Sequence, residues 1–184
     1  MVTREKKSYL YEERNTVKRQ EYLEKLKNFK AEDCVYIDEA GMDDRLDYAY
    51  GWSPQGTRCF AEKLGHATQR VSMIAAYCQK KVFAPMTFTG YCNSHLVESW
   101  FEQVLLPQLK PNQVVILDNA SFHRKAELEA LLVTVDCHLL PLSPYSPDLN
   151  KIEHIWQKIK SIVRKNDEDD LSFHDKLDDA FCSL

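Results

Sequence analysis

Three acidic residues of this chain have the type and setting of a metal site for phosphate chemistry. Asp38 and Asp118 each end a short apolar run, and Glu153 lies near the start of a predicted helix. Mg²⁺ prefers oxygen ligands, and carboxylates that are brought together repel one another unless a cation lies between them. Two such ions about 3.5–4 Å apart can activate the attacking oxygen and stabilise the leaving oxygen of a phosphodiester. The sequence therefore predicts a site for two Mg²⁺ ions, for which Mn²⁺ can substitute.

Each acid also has a structural explanation that the sequence leaves open. Asp38 could cap a turn after its strand, and Glu39, which points to the other side, could then be the functional residue. Asp118 could begin an Asx turn. Glu153 lies three residues after Asn150, the spacing of a helix N-cap and its reciprocal glutamate. The local pattern around each acid therefore does not decide between a structural and a catalytic role.

The strands that must position Asp38 are predicted to form an antiparallel meander. Residues 35–38 are the first strand, and the β-rich runs 71–77 and 82–88 are joined by a polar turn. Between them, the runs 46–52 and 57–60 flank a Ser-Pro-Gln-Gly turn and predict a hairpin. The first half of the chain is thus expected to be mostly β-structure.

The second half, which carries Asp118 and Glu153, is predicted to alternate helices with strands. Apolar residues at helical spacing predict helices over 94–108, 124–132 and 150–165, and a short one containing Leu171, His174, Leu177 and Phe181. Strands are predicted over 114–117 and 135–140. Because parallel strands are joined by crossover helices, we predict a mixed α/β sheet whose later strands are parallel.

The N-terminal segment, residues 1–32, is predicted to be a helical linker preceding a catalytic domain over 33–184. Its first 30 residues hold nine Lys or Arg and five Glu, and apolar residues at helical spacing predict a helix over 15–30. This helix could pack one stripe on the core, or its basic residues could contact phosphates, and the two are compatible.

Composition places the chain among soluble globular proteins and sets limits on its DNA binding. Hydrophobic residues make up 44% and charged residues 28%, and no apolar run is long enough for a membrane span. The six cysteines are scattered without zinc spacing, which predicts buried thiols in a reducing, cytoplasmic compartment. A net charge of −4 is unusual for a nucleic-acid enzyme, so we expect sequence-specific DNA binding outside this chain.

The strings around the acids resemble those of a known enzyme family. Asp118 lies in Ile-Leu-Asp-Asn-Ala-Ser-Phe-His and Glu153 in Tyr-Ser-Pro-Asp-Leu-Asn-Lys-Ile-Glu-His-Ile-Trp, with 34 residues between the two acids. With Ile-Asp-Glu at Asp38, these strings complete a triad. From about Asp33 onward, the chain resembles the DDE transposases of the mariner-type superfamily, most closely their bacterial insertion-sequence branch.

The resemblance implies a ribonuclease H-like fold, with a mixed five-stranded sheet flanked by helices. Its first and fourth strands are neighbours, which would place Asp38 beside Asp118, and the helix of Glu153 would complete a catalytic metal site. The family cuts transposon ends in double-stranded DNA and joins the exposed 3′ hydroxyl to target DNA, commonly at a TA dinucleotide. Pairing of two DNA ends makes a homodimer the expected assembly. Lys151 stands where the family usually has proline, and we expect only a modest effect on stability from it.

Further residues are candidates for supporting roles. His123 matches a histidine of the second motif and could donate near the scissile phosphate, or bond to backbone at a helix start. Asn119 and Asn150 could support the metal ligands. Five basic residues of the last motif could follow a DNA backbone or form a solvated helix face: Lys151, Lys158, Lys160, Arg164 and Lys165.

Two alternatives to a transposase core are consistent with the sequence. The first is a nuclease on the same fold that acts on RNA–DNA hybrids or junctions and makes no strand-transfer products. The second is a non-catalytic remnant of a split transposase that binds DNA or a partner through the 15–30 helix. The presence of all three acids argues against a decayed element.

Overall fold

A computed structural model describes residues 15–44, 52–60, 65–66, 69–165 and 171–184. The strands in these ranges are β1 Cys34–Asp43, β2 Arg70–Cys78, β3 Lys81–Thr89, β4 Val114–Leu117 and β5 His138–Pro141. The α-helices are α1 Thr16–Leu26, α2 Ser94–Trp100, α3 Lys125–Val133, α4 Glu153–Lys165 and α5 Phe173–Cys182. Among the helices described, none combines the length and the apolar character needed to cross a membrane.

The strands form one mixed sheet in the order β3-β2-β1-β4-β5. β1 pairs antiparallel with β2 and β2 with β3, whereas β1 pairs parallel with β4 and β4 with β5. The predicted change from a meander to parallel strands is therefore confirmed. β1 and β4 are neighbours, as the resemblance implied, so their carboxyl ends open at the same edge of the sheet.

Helices cover both faces of the sheet, because the central strands are apolar on both sides. Val114 and Ile116 belong to the core under α1, α4 and α5, whereas Val115 and Leu117 belong to the core under α2 and α3. All four β4 residues are buried. Successive side chains of a strand point to opposite faces, so this pattern places β4 between two layers of helices.

The helix α1 packs on the same core as α4. Asn15 caps it by accepting a hydrogen bond from the N–H of Lys18 at 2.9 Å. Tyr22 is buried, and Arg19 pairs through both guanidinium nitrogens with the carboxylate of Asp148, in the loop before α4. The predicted stripe of helix-to-core packing is therefore present.

The predicted single α-helix over 94–108 is wrong in its second half. After Trp100 the chain forms a π-helical segment, Phe101–Leu105, and a 3₁₀ turn, Leu106–Gln108. Pro107 explains the change, since it has no N–H to donate and its ring clashes with the preceding turn. The wider π-helical turn, in which the N–H of Leu106 reaches the carbonyl of Phe101, accommodates it.

Three other predicted boundaries need correction. The strand predicted over 135–140 begins at His138, because residues 134–136 form the turn after α3. Residues 57–60 are exposed and carry no strand, whereas the other arm of that hairpin, 46–51, lies outside the described residues. A strand needs a partner to accept its hydrogen bonds. The helix predicted from Asn150 begins at Glu153.

The cysteines of the described chain are free thiols. Cys34, Cys78 and Cys137 are buried, as the sequence predicted, but Cys59 and Cys182 are exposed.

Candidate metal-dependent active site

The three acids line one cavity at the carboxyl edge of β1 and β4. Tyr36 of β1 lies beside Ile116 of β4 in parallel register, so Asp38 and Asp118 each follow two residues later on adjacent strands. Glu153, in the first turn of α4, lines the same cavity, which has a volume of about 630 Å³. Residues from three separate elements are thus brought to one place.

Asp38 is held by α4. The indole Nε1–H of Trp156 donates to Asp38 Oδ2 at 3.1 Å. Burial raises the pKa of Asp38 to about 7, an effect that this hydrogen bond opposes and the nearby charge of Glu153 increases. Without a cation, Asp38 is therefore partly protonated near neutral pH.

Asp118 has the opposite electrostatic balance. Its Oδ1 accepts the backbone N–H of Ala120 at 2.9 Å, which is the predicted Asx turn, and lies 3.1 Å from Nε2 of His123. Burial is the largest single influence and favours the protonated form. The hydrogen bonds from His123 and Ala120, together with the charges of His123 and Lys125, outweigh burial and hold the pKa of Asp118 below its usual value. The structural and the catalytic explanation of Asp118 are therefore compatible.

Glu153 interacts with charges on both sides of the cavity. Burial raises its pKa, Lys160, seven residues farther along α4, lowers it, and Asp118 raises it again. The backbone carbonyl of Asn150 accepts the N–H of Glu153 at 3.3 Å. The side-chain oxygen of Asn150 is buried and makes no hydrogen bond to the described part of the chain. A reciprocal capping box is therefore not formed, and that explanation of Glu153 fails.

The loop between β5 and α4 forms the opposite wall of the cavity. Asn119 fixes it, since its amide donates to the carbonyl of Leu142 while its oxygen accepts from Lys125. Ser143 and Asn150 are 5% exposed, and within the described ranges their side-chain oxygens have no hydrogen-bond partner. Buried polar atoms without partners are costly, so this wall suits a ligand or water that supplies hydrogen bonds.

The donor set fits a hard divalent cation. All three acids supply carboxylate oxygen, the ligand type of Mg²⁺ and Mn²⁺, and they share a cavity that opens to solvent. In the described residues, no group of three or more His, Cys, Asp or Glu is drawn together into a ready-made metal site. Like-charge repulsion opposes such a grouping without a cation. The three acids therefore line one cavity, but their carboxylates are not close enough together to form a finished metal site.

Glu39, next to Asp38, has partners that the sequence did not reveal. It lies on the face of β1 opposite to Asp38, with Oε1 3.6 Å from His123 Nε2 and 3.9 Å from Cys92 Sγ. Burial raises its pKa to about 7, and His123 opposes this shift. Strand alternation showed which way Glu39 points, but only the fold shows what it meets.

The five basic candidates of the last motif do not all lie on α4. Lys151 precedes the helix and places its ammonium 5.3 Å from the ring centroid of Tyr36. Lys158 and Lys165 are exposed, whereas Lys160 and Arg164 are half-buried. Lys160 interacts electrostatically with Glu153, and a role of the five in DNA binding stays a prediction.

Comparisons with known proteins agree with this geometry. The family model of the DDE superfamily endonucleases matches residues 33–173. No curated protein matches the chain significantly. Among solved structures, the Mos1 strand transfer complex superposes with a TM-score of 0.74 at 16% identity, over 100% of this chain and 59% of that one.

Two further Mos1 structures give the same result. The Mos1 mariner paired end complex with Mn matches with a TM-score of 0.73 at 15% identity, over 99% of this chain and 60% of that one. The catalytic domain of Mos1 mariner transposase matches with a TM-score of 0.63 at 16% identity, over 96% and 85%. The present chain therefore spans about three fifths of the full Mos1 chains that it matches. It belongs to the DDE superfamily endonucleases and has the ribonuclease H-like fold of mariner-type transposase catalytic domains.

Proposed function

We propose that this chain is the catalytic core of a transposase that cleaves DNA strands at transposon ends and transfers them to target DNA. One observation carries the proposal: Asp38, Asp118 and Glu153, from two neighbouring strands and a helix, line a single cavity. Membership of the endonuclease family supports DNA cleavage, and the likeness to transposase complexes supports strand transfer.

The three carboxylates are proposed as both the catalytic residues and the metal ligands. Two Mg²⁺ ions, or Mn²⁺ in their place, would be held by the carboxylates of Asp38, Asp118 and Glu153. Bound divalent cations supply activation of the attacking oxygen and charge stabilisation at the leaving oxygen. Trp156 orients Asp38 through its indole hydrogen bond, which keeps one carboxylate oxygen fixed while the cavity stays accessible.

The proposed substrate is double-stranded DNA, both transposon end and target. Lys160 lies close enough to Glu153 to lower its pKa, so its ammonium is near the cavity and suited to a DNA phosphate. Lys158 and Lys165 are exposed farther along α4 and would contact the backbone beyond the cleavage site. The paired-end complexes among the similar structures support a homodimer assembled on two DNA ends. We further propose that the protein acts at the nucleoid.

Metal-dependent nicking by an Asp118→Asn variant tests the assignment. Asparagine keeps the shape and the acceptor for the Ala120 N–H but removes the charge that a cation needs. We expect nicking of terminal-repeat DNA in Mn²⁺ to be lost, while Asp136→Asn, in the turn before β5, keeps it. Undiminished cleavage by Asp118→Asn would show that the cavity is not the catalytic site.

Strand transfer must be measured in the same reaction. A pre-cleaved transposon end with a free 3′ hydroxyl, incubated with plasmid and Mn²⁺, should be joined to the plasmid by the wild type. A nuclease on the same fold would cut DNA without producing the joined product. Cleavage without joining would therefore contradict the transposase assignment and favour the nuclease.

A further inference from the structure

We propose that His123, held in place by Glu39, is a positioning residue that fixes the Asp118 carboxylate for metal binding. This inference rests on the proposed function, because it gives Asp118 a supporting partner only if Asp118 is a metal ligand. It gives a role to Glu39, the acid beside Asp38, and to His123, and neither residue belongs to the triad.

The imidazole meets two carboxylates through one nitrogen. Nε2 of His123 lies 3.1 Å from Oδ1 of Asp118 and 3.6 Å from Oε1 of Glu39. With its proton on Nε2, the imidazole donates to Asp118 Oδ1, the nearer of the two oxygens, and Glu39 attracts the same N–H electrostatically. The ring orientation is thereby set both from β1 and from the residue that follows β4.

The burial of His123 shows that this orientation is not incidental. Its side chain is 1% exposed, and Nδ1 is buried without a hydrogen-bond partner among the residues described. A buried polar atom without a partner costs about 1–3 kcal/mol. An apolar side chain would fill the same space without that cost, so packing alone does not account for the imidazole. What distinguishes the histidine from an apolar side chain at this position is the pair of contacts that Nε2 makes with Asp118 and Glu39.

The local turn brings His123 back to Asp118. The carbonyl of Ala120 accepts the N–H of His123 at 3.1 Å, and the N–H of Ala120 donates to Asp118 Oδ1. Both hydrogen bonds that Asp118 accepts in the described chain therefore reach the same oxygen. The Asp118 side chain is otherwise 47% exposed, and its position depends on these two donors. Removing one of them leaves a carboxylate that can rotate out of the cavity.

Glu39 connects this turn to β1. It is only 15% exposed and lies next to Asp38, but on the opposite face of the strand. Asp38 is held by Trp156 on one side of the sheet, and Glu39 holds His123 on the other. Asp38 is thus itself one of the three acids, whereas Glu39 acts on another, Asp118, through the imidazole of His123. Removing a residue that orients a metal ligand typically lowers metal affinity by about 10–100-fold.

Mn²⁺ affinity of the DNA-free protein, measured by calorimetry or electron paramagnetic resonance, tests the proposal without relying on activity. His123→Gln can place an amide N–H near the position of Nε2, whereas the shorter His123→Asn cannot reach it. We expect His123→Asn to lower Mn²⁺ affinity about tenfold or more, and His123→Gln to stay within about threefold of wild type. His95→Gln, at an exposed position of α2, is the matched control and should change nothing.

A double-mutant cycle then asks whether His123 acts through Asp118. In an Asp118→Asn background, adding His123→Asn should cause no further loss of Mn²⁺ affinity, since the carboxylate that it positions is already gone. Glu39→Gln should weaken binding less than His123→Asn, because the hydrogen bond to Asp118 remains. Thermal unfolding of each variant identifies any that fail to fold, and Glu39→Gln, a near-isosteric change, carries the test in that case.

Three results would overturn the inference. They are an unchanged Mn²⁺ affinity in His123→Asn, an equal loss in His123→Gln and His123→Asn, or a full additional loss in the Asp118→Asn background. If Mn²⁺ binding by the wild type does not depend on Asp118 at all, the proposed function itself fails and the inference fails with it. Dependence on Asp118 without dependence on His123 rejects only the positioning role.

Discussion

Replacing Asp38 by asparagine should stabilise the metal-free protein while abolishing its metal binding. Asp38 is a carboxylate in a low-dielectric position, and its pKa of about 7 means that ionising it opposes folding. Asparagine has nearly the same shape and can still accept the hydrogen bond from Trp156 through its side-chain oxygen. The substitution therefore removes the cost of a buried charge and little else.

The size of the effect follows from the pKa difference between the folded and unfolded chain. A folded pKa of about 7, against roughly 3.9 for an unfolded aspartate, corresponds to about 4 kcal/mol at most. Because the cavity opens to solvent, we expect about 2–3 kcal/mol in practice. The pKa is raised on folding, so wild-type stability is highest below pH 4 with respect to this group and falls as pH rises to about 7.

Urea unfolding at pH 5 and pH 8 without metal measures this difference. Asp38→Asn should gain over wild type at pH 5 only about a third of what it gains at pH 8, with an unchanged urea dependence. Saturating Mn²⁺ should raise the stability of the wild type but not of the variant, because only a folded state that binds the ion is stabilised. A variant that is less stable than wild type at pH 8, or a gain that is equal at both pH values, would refute the electrostatic reasoning.

Three other changes have defined outcomes. Since Mn²⁺ must displace the proton from Asp38, its affinity should fall by up to about tenfold per pH unit below pH 7, and calorimetry from pH 5.5 to 8 measures this; a flat profile would contradict it. Trp156→Phe removes the donor to Asp38 and should lower Mn²⁺ affinity about tenfold at pH 7, with a smaller loss at pH 9. Ile159→Ala, at a fully buried position of α4, should cost about 2–5 kcal/mol in urea unfolding, whereas Gln157→Ala on the exposed side should cost less than about 0.5 kcal/mol.

The strands and helices could be predicted because they depend on short-range patterns, whereas the placement of Asp38 beside Asp118 on neighbouring strands was implied by the family resemblance. An apolar run that ends in an acid marks the end of a buried strand, and parallel neighbours open at the same edge. β4 was therefore predicted with its observed bounds, and Asp38 and Asp118 were expected at one site. The helix of Glu153 was predicted from its apolar stripe, which packs on the core as expected.

Other features depend on contacts between distant residues and could not be read locally. The spacing of Asn150 and Glu153 matches a capping box, but the Asn150 side chain lines the cavity and does not cap the helix. The contact between Glu39 and His123 joins β1 to the loop after β4, between residues 84 positions apart. Pro107 is a local signal for the end of regular helix, although no pattern indicated that a π-helical turn would precede it.

The alternation of β1 explains how two neighbouring acids can serve one site without sharing a face. On the same face, the charges of Asp38 and Glu39 would repel at contact distance; on opposite faces, each meets a separate donor, Trp156 or His123. A shift of β1 by one residue would exchange the two acids and leave both donors misplaced. The antiparallel ladder with β2, which runs from Tyr36 to Asp43, and the parallel pairing with β4 oppose such a shift. The pairing of β1 on both sides thus fixes which acid lines the cavity and which lies beside the imidazole.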